Sequence, residues 1–340
     1  MIQNKKLKIA IRTSGGKETN KELGLGHVYR TLNLALELRT NEIHFLLEDY
    51  GGSREIIKKN NFKDIHILKK DIELNDDIDE SLRYIIDKKI DILIVDRYKL
   101  KKTYLKKLLD YVKIVVISDL YNIEYRADLV VNGFVGFKNS VIKNSFNSRC
   151  LLGPKYQIIN QKFSIRSKNI KPKYDLLISV GGYDQKNIID VILNSILPYI
   201  NKIKIKIILG PVGNKSKLVE KLEKRFPRQI FVLKSTKNMK KEIESAKFGI
   251  SNGGMTSYEF ASMKKFFGII CIENHQLITA KEWETKGYAK NLGVVKKGIE
   301  KNIVKFLEES VIKNIQIKIN SKDIVDGYGL SRISNEILKI

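Results

Sequence analysis

The N-terminal part of the chain alternates apolar runs with amphipathic segments. Runs such as 92–95 (ILIV) and 114–117 (IVVI) are continuously apolar, which is typical of parallel strands that are covered on both faces. Strands that alternate with helices indicate a doubly wound α/β sheet. The predicted strands are 6–12, 42–47, 64–68, 91–95, 113–118 and 128–132. The predicted helices are 27–39, 53–60, 78–88 and 100–111.

A second series of the same kind follows a stretch in which the periodicity weakens and Asn, Ser and Lys accumulate. We place a connection in that stretch, between an N-terminal and a C-terminal Rossmann-like domain, and expect two further helices in the tail that pack back on the domains. The predicted division is 1–135, 136–172, 173–296 and 297–340. The fold class is therefore α/β, with two parallel sheets that face a central cleft, where the carboxyl ends of the strands bind ligands.

The predicted elements of the second series can be stated in the same way. Its strands are 174–180, 204–209, 229–233, 248–251 and 267–272. Its helices are 187–200, 216–225, 239–246, 256–263 and 280–290.

Length and composition fit a folded protein with two cores. The chain has 340 residues, of which 43% are hydrophobic and 30% charged, and no apolar run reaches the length of a membrane span. The apolar stretch near the N-terminus is too short for a signal peptide. Cys150 and Cys271 are far apart in apolar surroundings, as expected of reduced thiols. We expect a cytoplasmic monomer without an integral membrane segment.

The net charge of +25 has two interpretations. A nucleic-acid-binding surface is one, because basic residues neutralise phosphates. However, the lysines are spread along the whole chain, and Ile and Asn are abundant as well, as expected from an AT-rich genome. We therefore favour a lysine-rich surface and expect no nucleic-acid partner. An anionic substrate, or loose attraction to a membrane surface, is compatible with either interpretation.

The first chemical motif is a pair of glycine-containing segments, Arg12-Thr13-Ser14-Gly15-Gly16 and Gly24-Leu25-Gly26-His27. The first ends a predicted strand, and the second opens a helix, whose N-terminus offers free N–H groups. An imidazole in the first turn lies at the positive end of the helix dipole, which favours the neutral state that a general base needs. His27 is thus a candidate base, and a capping or packing histidine is the alternative.

Two more glycine-rich turns follow strands in the second domain. One is Ser179-Val180-Gly181-Gly182-Tyr183-Asp184, and the other is 251–259, SNGGMTSYE. Backbone N–H groups of Gly254, Met255 and Thr256 are candidate diphosphate ligands, assisted by the hydroxyls of Thr256 and Ser257. Glu259 is a candidate acceptor for ribose hydroxyls, although an acid near a helix start is also favourable by itself.

Polar residues end two further strands of the first domain, as Asp96-Arg97-Tyr98 and Ser118-Asp119. We expect them on the cleft side, with helix capping as the alternative role of the acids. The sequence has no P-loop, no HExxH and no recognisable spacing of metal ligands. We therefore expect metal-independent chemistry without a cofactor. His44 and His66 fall within predicted strands and are expected to be structural.

Taken in order, these motifs resemble the UDP-sugar hydrolases of pseudaminic acid biosynthesis and their spore-coat polysaccharide relatives. The resemblance runs from about residue 8 to 293 and is most specific at GLGHVYRTLNLA and SNGGMTSYEFASMKK. The tail segment DGYG followed by Arg332 is similar to the ending of the spore-coat members. The resemblance implies a GT-B fold and UDP-2,4-diacetamido-2,4,6-trideoxy-β-L-altropyranose as the substrate.

The same resemblance implies a role for individual residues. His27 matches the proposed general base, and Arg30 matches a basic residue that either neutralises phosphate or faces solvent. Met239 matches a methionine of the uracil site, and Tyr98 an aromatic residue near the sugar. The substrate- and nucleotide-binding positions are Gly24, Gly26, Arg30, Tyr98, Gly182, Asp184, Met239, Gly254, Met255, Thr256, Glu259, His275 and Gln276.

The chain departs from the family at three positions on the sugar side. Ser14 replaces an acid that usually follows the first-strand arginine, His275-Gln276 replaces an Asn-Gln pair, and Asn160 replaces an arginine of the linker. The nucleotide side therefore matches better than the sugar side.

Three functions are compatible with these motifs. The first is hydrolysis that releases UDP from a UDP-linked di-N-acetylated trideoxy sugar, with His27 as base and inversion at C1. The second is a UDP-sugar-dependent glycosyltransferase of surface polysaccharide biosynthesis on the same fold. The third, a non-catalytic nucleotide-binding or basic surface protein, is disfavoured by the placement of His27 and the three glycine-rich turns.

Overall fold

The computed structural model describes residues 6–17, 24–165, 167, 170–182, 184, 186–313, 319 and 324–340. The chain forms two compact units. Unit 1 comprises Met1–Asn160 and Tyr328–Ile340, and unit 2 comprises Gln161–Gly327. The chain thus passes from one unit to the other at Asn160, within the predicted connection 136–172, and residues 136–160 belong to unit 1.

Unit 1 contains an eight-stranded sheet with the order β3-β2-β1-β4-β5-β6-β8-β7. All neighbouring strands are parallel except β7 and β8, which pair antiparallel at one edge. The strands are β1 (Lys8–Gly15), β2 (Glu42–Asp49), β3 (Ile65–Leu68), β4 (Ile92–Asp96), β5 (Lys113–Ile117), β6 (Leu129–Asn132), β7 (Ser140–Lys143) and β8 (Arg149–Leu152).

Apolar side chains cover both faces of this sheet. On one face Ile9 and Ile11 of β1 share a core with Leu330 and Ile333 near the C-terminus. On the other face Ala10 shares a core with residues of the third and fourth helices. The helices of unit 1 are α1 (Gly26–Glu37), α2 (Ser53–Lys58), α3 (Leu74–Lys88), α4 (Lys102–Leu108) and, after unit 2, α11 (Gly329–Ile337). The continuous apolar strands thus have the two-sided burial that their pattern predicts.

Unit 2 contains a six-stranded parallel sheet with the order β11-β10-β9-β12-β13-β14. Its strands are β9 (Tyr174–Ser179), β10 (Ile205–Ile208), β11 (Ile230–Leu233), β12 (Ala246–Ser251), β13 (Phe267–Cys271) and β14 (Ala289–Val294). Its helices are α5 (Ile188–Ile196), α6 (Lys217–Arg225), α7 (Met239–Glu244), α8 (Met255–Ser262), α9 (Gln276–Thr285) and α10 (Ile299–Phe306).

The two faces of the second sheet have different cores. Isoleucine and leucine side chains of β9, β10, α5 and α10 fill one face. The other face holds an aromatic cluster, in which Phe260 stacks on Phe267 with ring centroids 5.3 Å apart, and Trp283 lies edge-on to Tyr258 at 5.1 Å. Gly249 of β12 makes room for this cluster, because an added Cβ would lie 2.2 Å from the Phe260 ring.

The α/β fold class with two parallel-sheet domains is confirmed, and some elements differ from the prediction. β7 and β8 lie where an irregular connection was expected. The predicted helix 280–290 is instead α9, which ends at Thr285, followed by β14. In the tail, α10 and a π-helical segment (Leu307–Ile312) pack in unit 2, whereas α11 packs on α1 in unit 1.

Both sheets follow the same plan. Counted within each unit, the first six strands have the spatial order 3-2-1-4-5-6, with β1 beside β4 in unit 1 and β9 beside β12 in unit 2. The direction of winding reverses between these two neighbours, and such a switch point leaves a crevice at the carboxyl ends of the strands. Each unit therefore has one preferred place for a ligand.

Candidate active site

The switch point of unit 1 lies where β1 and β4 end and α1 begins. α1 approaches β1 closely, because an added Cβ on Gly15 would lie 2.7 Å from the carbonyl oxygen of Gly24 and 2.9 Å from Val28. Gly15 is thus a glycine required by packing. At Gly24 and Gly26, by contrast, an added Cβ would meet no described atom within 4 Å. The close packing holds the first turn of α1 beside the end of β4.

His27, the second residue of α1, forms a short contact with Asp96, the last residue of β4. Its Nδ1 lies 2.6 Å from Asp96 Oδ1, the carboxylate is fully buried, and the imidazole side chain is 17% exposed. Burial raises the pKa of Asp96, but the charges of Arg30 and His27 and their hydrogen bonds outweigh it, so the pKa lies below its usual value. An ionised carboxylate only accepts hydrogen bonds, so Nδ1 carries the proton and donates it.

This tautomer has a direct chemical consequence. In a neutral imidazole with the proton on Nδ1, the lone pair resides on Nε2. A carboxylate that accepts the Nδ1 proton also stabilises the imidazolium that forms once Nε2 takes up a proton. The pair His27–Asp96 therefore has the arrangement of a histidine general base with an orienting acid.

Arg30 lies one turn further along α1 and is 8% exposed. Its guanidinium donates to Asp96 from Nε and Nη2, both at 2.5 Å, and to Asp119 from Nη1 at 2.5 Å and Nη2 at 2.9 Å. The alternative in which Arg30 faces solvent is wrong, because the helix turns this residue onto the end of the sheet. Both sides of the guanidinium thus donate hydrogen bonds to carboxylates of the same unit.

A second charged network lies on the opposite face of the same sheet end. Arg12 is fully buried and donates to Asp77 from Nε at 3.0 Å and Nη2 at 2.9 Å, and to Glu48 from Nη2 at 2.9 Å. Arg97 also pairs with Asp77. The first-strand arginine is therefore a structural residue here, and Arg97 points away from Asp96. Sequence reasoning missed this network, since Arg12 and Asp77 are 65 positions apart.

The other histidines and Tyr98 can be placed as well. Tyr98 follows β4, is partly exposed, and has Lys99 Nζ 4.9 Å from its ring centroid. His44 lies in β2 and contacts Tyr84 Oη at 3.0 Å. His66 lies in β3 and pairs with Glu80 at 3.2 Å. His44 and His66 thus occupy strand positions, as predicted.

At the switch point of unit 2, three glycine-containing turns converge. Gly181 has a φ of 103° and Gly210, after β10, a φ of 92°, a region that strongly favours glycine. An added Cβ on Gly210 would lie 2.1 Å from the carbonyl oxygen of Gly182. Asn252 joins the turns after β9 and β12, since its Nδ2 donates to Val180 O at 2.7 Å and its Oδ1 accepts from Gly254 N at 3.1 Å. The sequence contains Asn252 within a motif, but its role was missed.

The beginning of α8 is the candidate diphosphate site of unit 2. Gly254 is the N-cap, and its N–H is used by Asn252, so it is not free for a ligand. Met255 and Thr256 are the first two helical residues, whose N–H groups lack acceptors within a helix. Ser257 is buried, accepts from Trp283 Nε1 at 3.1 Å and donates to Gly254 O at 2.7 Å. Its predicted ligand role is therefore replaced by a structural one.

Glu259 lies one turn into α8 and is partly exposed. Burial raises the pKa of its carboxyl group to about 7. No described residue forms a hydrogen bond or an ion pair with this carboxyl group. A carboxyl group whose pKa is strongly raised by desolvation is a candidate functional group.

The remaining predicted residues have mixed surroundings. Asp184 accepts from Ile188 N at 2.8 Å and Ile189 N at 2.7 Å, and thus caps α5, while Tyr183 lies outside the described residues. Burial raises the pKa of Asp184. Gln276 begins α9 and accepts from Ile272 N at 2.8 Å, next to the exposed His275. Met239 begins α7 and is partly buried.

The described part of the chain has neither a cluster of metal ligands nor a membrane-spanning helix. Residues 6–17, 24–165, 170–182 and 186–313, with the shorter described pieces, contain no group of three or more His, Cys, Asp or Glu residues that could hold a metal ion. No helix among the described residues is long and apolar enough to cross a membrane.

Several known proteins are similar in sequence. The uncharacterized protein MJ1062 of Methanocaldococcus jannaschii is 32% identical over 270 residues, 74% of this chain but only 53% of that protein. The spore coat polysaccharide biosynthesis protein SpsG of Bacillus subtilis is 26% identical over 345 residues, 96% of each chain. The UDP-2,4-diacetamido-2,4,6-trideoxy-β-L-altropyranose hydrolase of Campylobacter jejuni is 27% identical over 279 residues, 80% of this chain and 95% of that enzyme. No model of a protein family matches the chain.

Solved structures agree with the fold. MurG of Acinetobacter baumannii superposes with a TM-score of 0.64 at 17% identity over 98% of this chain and 100% of that protein. MnaA of S. aureus, solved with UDP, gives a TM-score of 0.62 at 14% identity over 98% and 96%. The GT-B fold is thus confirmed, and the chain has homologues in both groups that its motifs resemble, while it spans about half the length of the M. jannaschii relative.

Proposed function

We propose that this homologue of the spore-coat and pseudaminic acid proteins is a UDP-sugar hydrolase that releases UDP and a free di-N-acetylated trideoxy sugar. The observation that carries the proposal is the contact between His27 Nδ1 and Asp96 Oδ1 at 2.6 Å. It leaves Nε2 of a partly exposed imidazole as the basic atom, at the switch point where α/β sheets bind ligands.

In the proposed reaction, His27 Nε2 removes a proton from a water molecule whose oxygen forms a bond to C1 of the sugar. The bond between C1 and the diphosphate oxygen breaks, and its electron pair leaves with UDP. Attack opposite to the leaving group inverts the configuration at C1. Asp96 stabilises the imidazolium that forms, as the acid does in a catalytic triad.

The nucleotide half of the proposal rests on unit 2. The free N–H groups of Met255 and Thr256 and the helix dipole of α8 suit the diphosphate, whose negative charge grows as the bond breaks. Preorganised donors of this kind contribute about 3 kcal/mol each to transition-state stabilisation. The carboxyl group of Glu259 suits the two ribose hydroxyls, and Met239 suits the uracil ring.

The test is incubation with a panel of UDP-linked di-N-acetylated trideoxyhexoses, including UDP-2,4-diacetamido-2,4,6-trideoxy-β-L-altropyranose, in the absence of any acceptor. We expect equimolar UDP and free sugar, with ¹H NMR showing an inverted anomer as the first product. If UDP binds but no panel member is hydrolysed, hydrolysis is rejected.

A glycosyltransferase is the second candidate, favoured by the relative SpsG, which matches over 96% of both chains and is named for polysaccharide biosynthesis. The same base would then deprotonate an acceptor hydroxyl instead of water. UDP release that requires added polysaccharide acceptor, with no free sugar formed, would decide for transfer.

A further inference from the structure

We infer that Arg30 is a positioning residue for His27, and that Asp119 modulates it by competing for the same guanidinium. Arg30 would act through Asp96 and would not touch the substrate. The inference goes beyond the proposed function and rests on it only for the identity of the base.

The first step is the geometry of the fork. Arg30 Nε donates to Asp96 Oδ2 and Arg30 Nη2 to Asp96 Oδ1, each at 2.5 Å. Two parallel bonds fix the plane of a carboxylate as well as its position. Oδ1, which receives the His27 proton, is therefore held in one place, and the imidazole orientation follows from it.

The second step is the surroundings of the guanidinium. Asp119, after β5, binds Nη1 and Nη2 from the other side, and its side chain is 57% exposed. Asp96, in contrast, is fully buried. Arg30 is thus shared between a buried carboxylate that orients His27 and an exposed one at the surface.

The third step is the charge around the imidazole. Among the residues that the structure describes, the charged groups that face it are Arg30 from α1, Asp96 from β4 and, through Arg30, Asp119 from the segment after β5. Arg30 Nη2 lies 3.1 Å from His27 Nδ1, and both nitrogens are donors, so this contact opposes the imidazolium. Arg30 therefore offsets the attraction that Asp96 exerts on a proton at His27, which keeps Nε2 free to accept one.

Opposite substitutions should then have opposite effects. Arg30→Gln leaves Asp96 and Asp119 without their cation, which favours the imidazolium. Asp119→Asn leaves the full charge of Arg30 beside His27, which disfavours it. The reversal of sign follows from the two charges, and the fork is tested separately by Arg30→Lys, which keeps the charge but not the paired bonds to Asp96.

The experiment measures the pH profile of kcat/KM for UDP-sugar hydrolysis and the NMR titration of the His27 imidazole in the full chain. For Arg30→Gln we expect the acid limb and the His27 midpoint to move up by about one pH unit or more, with kcat at neutral pH falling about tenfold and the Kd for UDP unchanged. For Asp119→Asn we expect both midpoints to move down. Arg30→Lys, which keeps the charge but not the fork, should restore the acid limb and only part of kcat.

Arg149→Gln is the matched control, because Arg149 pairs with Glu336 at 2.8 Å in the same unit, away from His27. It should leave both midpoints in place. Shifts of the same sign in Arg30→Gln and Asp119→Asn, or no shifts, would overturn the inference. If Arg30→Gln does not fold, Asp119→Asn still tests it, because Asp119 lies at the surface. If the NMR midpoints move as expected while His27→Asn retains native turnover, only the proposed function fails.

Discussion

Asn252 and Val180 are joined by a hydrogen bond of 2.7 Å from the side-chain Nδ2 to the backbone oxygen, across the switch point of unit 2. The side-chain oxygen of Asn252 accepts a hydrogen bond from the backbone N–H of Gly254, the N-cap of α8. One side chain therefore sets the distance between the Gly181-Gly182 turn and the helix start that is proposed to hold the diphosphate.

Asn252→Ala should weaken UDP binding about tenfold, because the two turns lose their common tether and the N–H of the N-cap Gly254 loses its acceptor. Calorimetric titration with UDP measures the effect. Asn302→Ala is the matched control, since Asn302 Nδ2 also donates to a backbone oxygen of the unit, that of Leu292, at 2.9 Å. It should lower stability to a similar extent and leave the Kd for UDP unchanged. Equal losses of affinity for UDP in both variants would show that Asn252 contributes only to stability.

His27→Asn should lower turnover by about 10²- to 10⁴-fold, the usual contribution of a positioned proton acceptor. UDP binding should persist, because the nucleotide groups proposed above all lie in unit 2. The acid limb of the wild-type pH profile should be missing in the variant. His66→Asn removes a histidine that pairs with Glu80 in the same unit and should leave turnover near the native rate. Native turnover by His27→Asn would show that another residue is the general base.

Glu259→Gln should have opposite effects on stability and on binding. Since burial raises the pKa of Glu259 to about 7, the folded protein retains this proton at pH values where the unfolded chain has lost it. The group therefore lowers stability progressively from about pH 4.5 to pH 7, and its penalty is complete above pH 7. The Gln variant should melt at a higher temperature than the wild type at pH 8, but not at pH 4.5, in the absence of UDP.

The same variant should bind UDP more weakly at pH 8, because an amide offers one acceptor oxygen to two ribose hydroxyls where a carboxylate offers two. Wild-type affinity should also rise with pH through 7 by more than that of the variant, which serves as the control for titration of UDP itself. Identical pH dependences in the two proteins would remove Glu259 from the ribose site.

Gly210→Ala should unfold unit 2 at a lower temperature and weaken UDP binding. Its φ of 92° strains any other residue, and its Cβ would lie 2.1 Å from a backbone oxygen of the Gly181-Gly182 turn. Gly287→Ala is the control, because φ there is also positive, at 73°, but an added Cβ meets no described atom within 4 Å. The control should cost only the backbone strain, about 1 kcal/mol. Differential scanning fluorimetry with and without UDP separates the two effects.

Hydrolysis should survive excess EDTA, since the N–H groups at the start of α8 are proposed to stabilise the leaving diphosphate without a bridging cation. UDP release is followed with and without the chelator. Loss of turnover that Mg²⁺ or Mn²⁺ restores would show that the proposed mechanism lacks a component.

The sheets and the histidine were accessible from sequence because their signals are local. Continuous apolar runs predict buried parallel strands, and a glycine-flanked His27 after the first of them predicts a residue at the carboxyl end. β14 was missed because its sequence, AKNLGV, has a single β-branched residue. β7 and β8 were missed because each has only four residues and the segment that joins them, NSFNS, is mostly polar.

The side-chain partnerships were not accessible in this way. The burial of Arg30 depends on Asp96 and Asp119, which lie 66 and 89 positions away in the sequence. In a helix that is otherwise amphipathic, an arginine is expected at the surface. Arg30 is buried instead because Asp96 and Asp119 follow neighbouring strands, β4 and β5, and meet it at the carboxyl ends of those strands. The structural role of Ser257 Oγ has the same origin, because its donor, Trp283 Nε1, lies 26 positions away.

The return of the chain to unit 1 at Tyr328 affects the order in which the molecule is completed during synthesis. Unit 2 is one continuous segment of the chain. The sheet of unit 1 is translated first, but the face that holds α1 is fully covered only after Leu330, Ile333 and Ile337 have been synthesised. The hydrophobic core of the unit that carries His27 is thus completed last. A chain terminated after Gly327 should bind a hydrophobic dye and melt in two steps, whereas one melting step and no dye binding would show that unit 1 folds without α11.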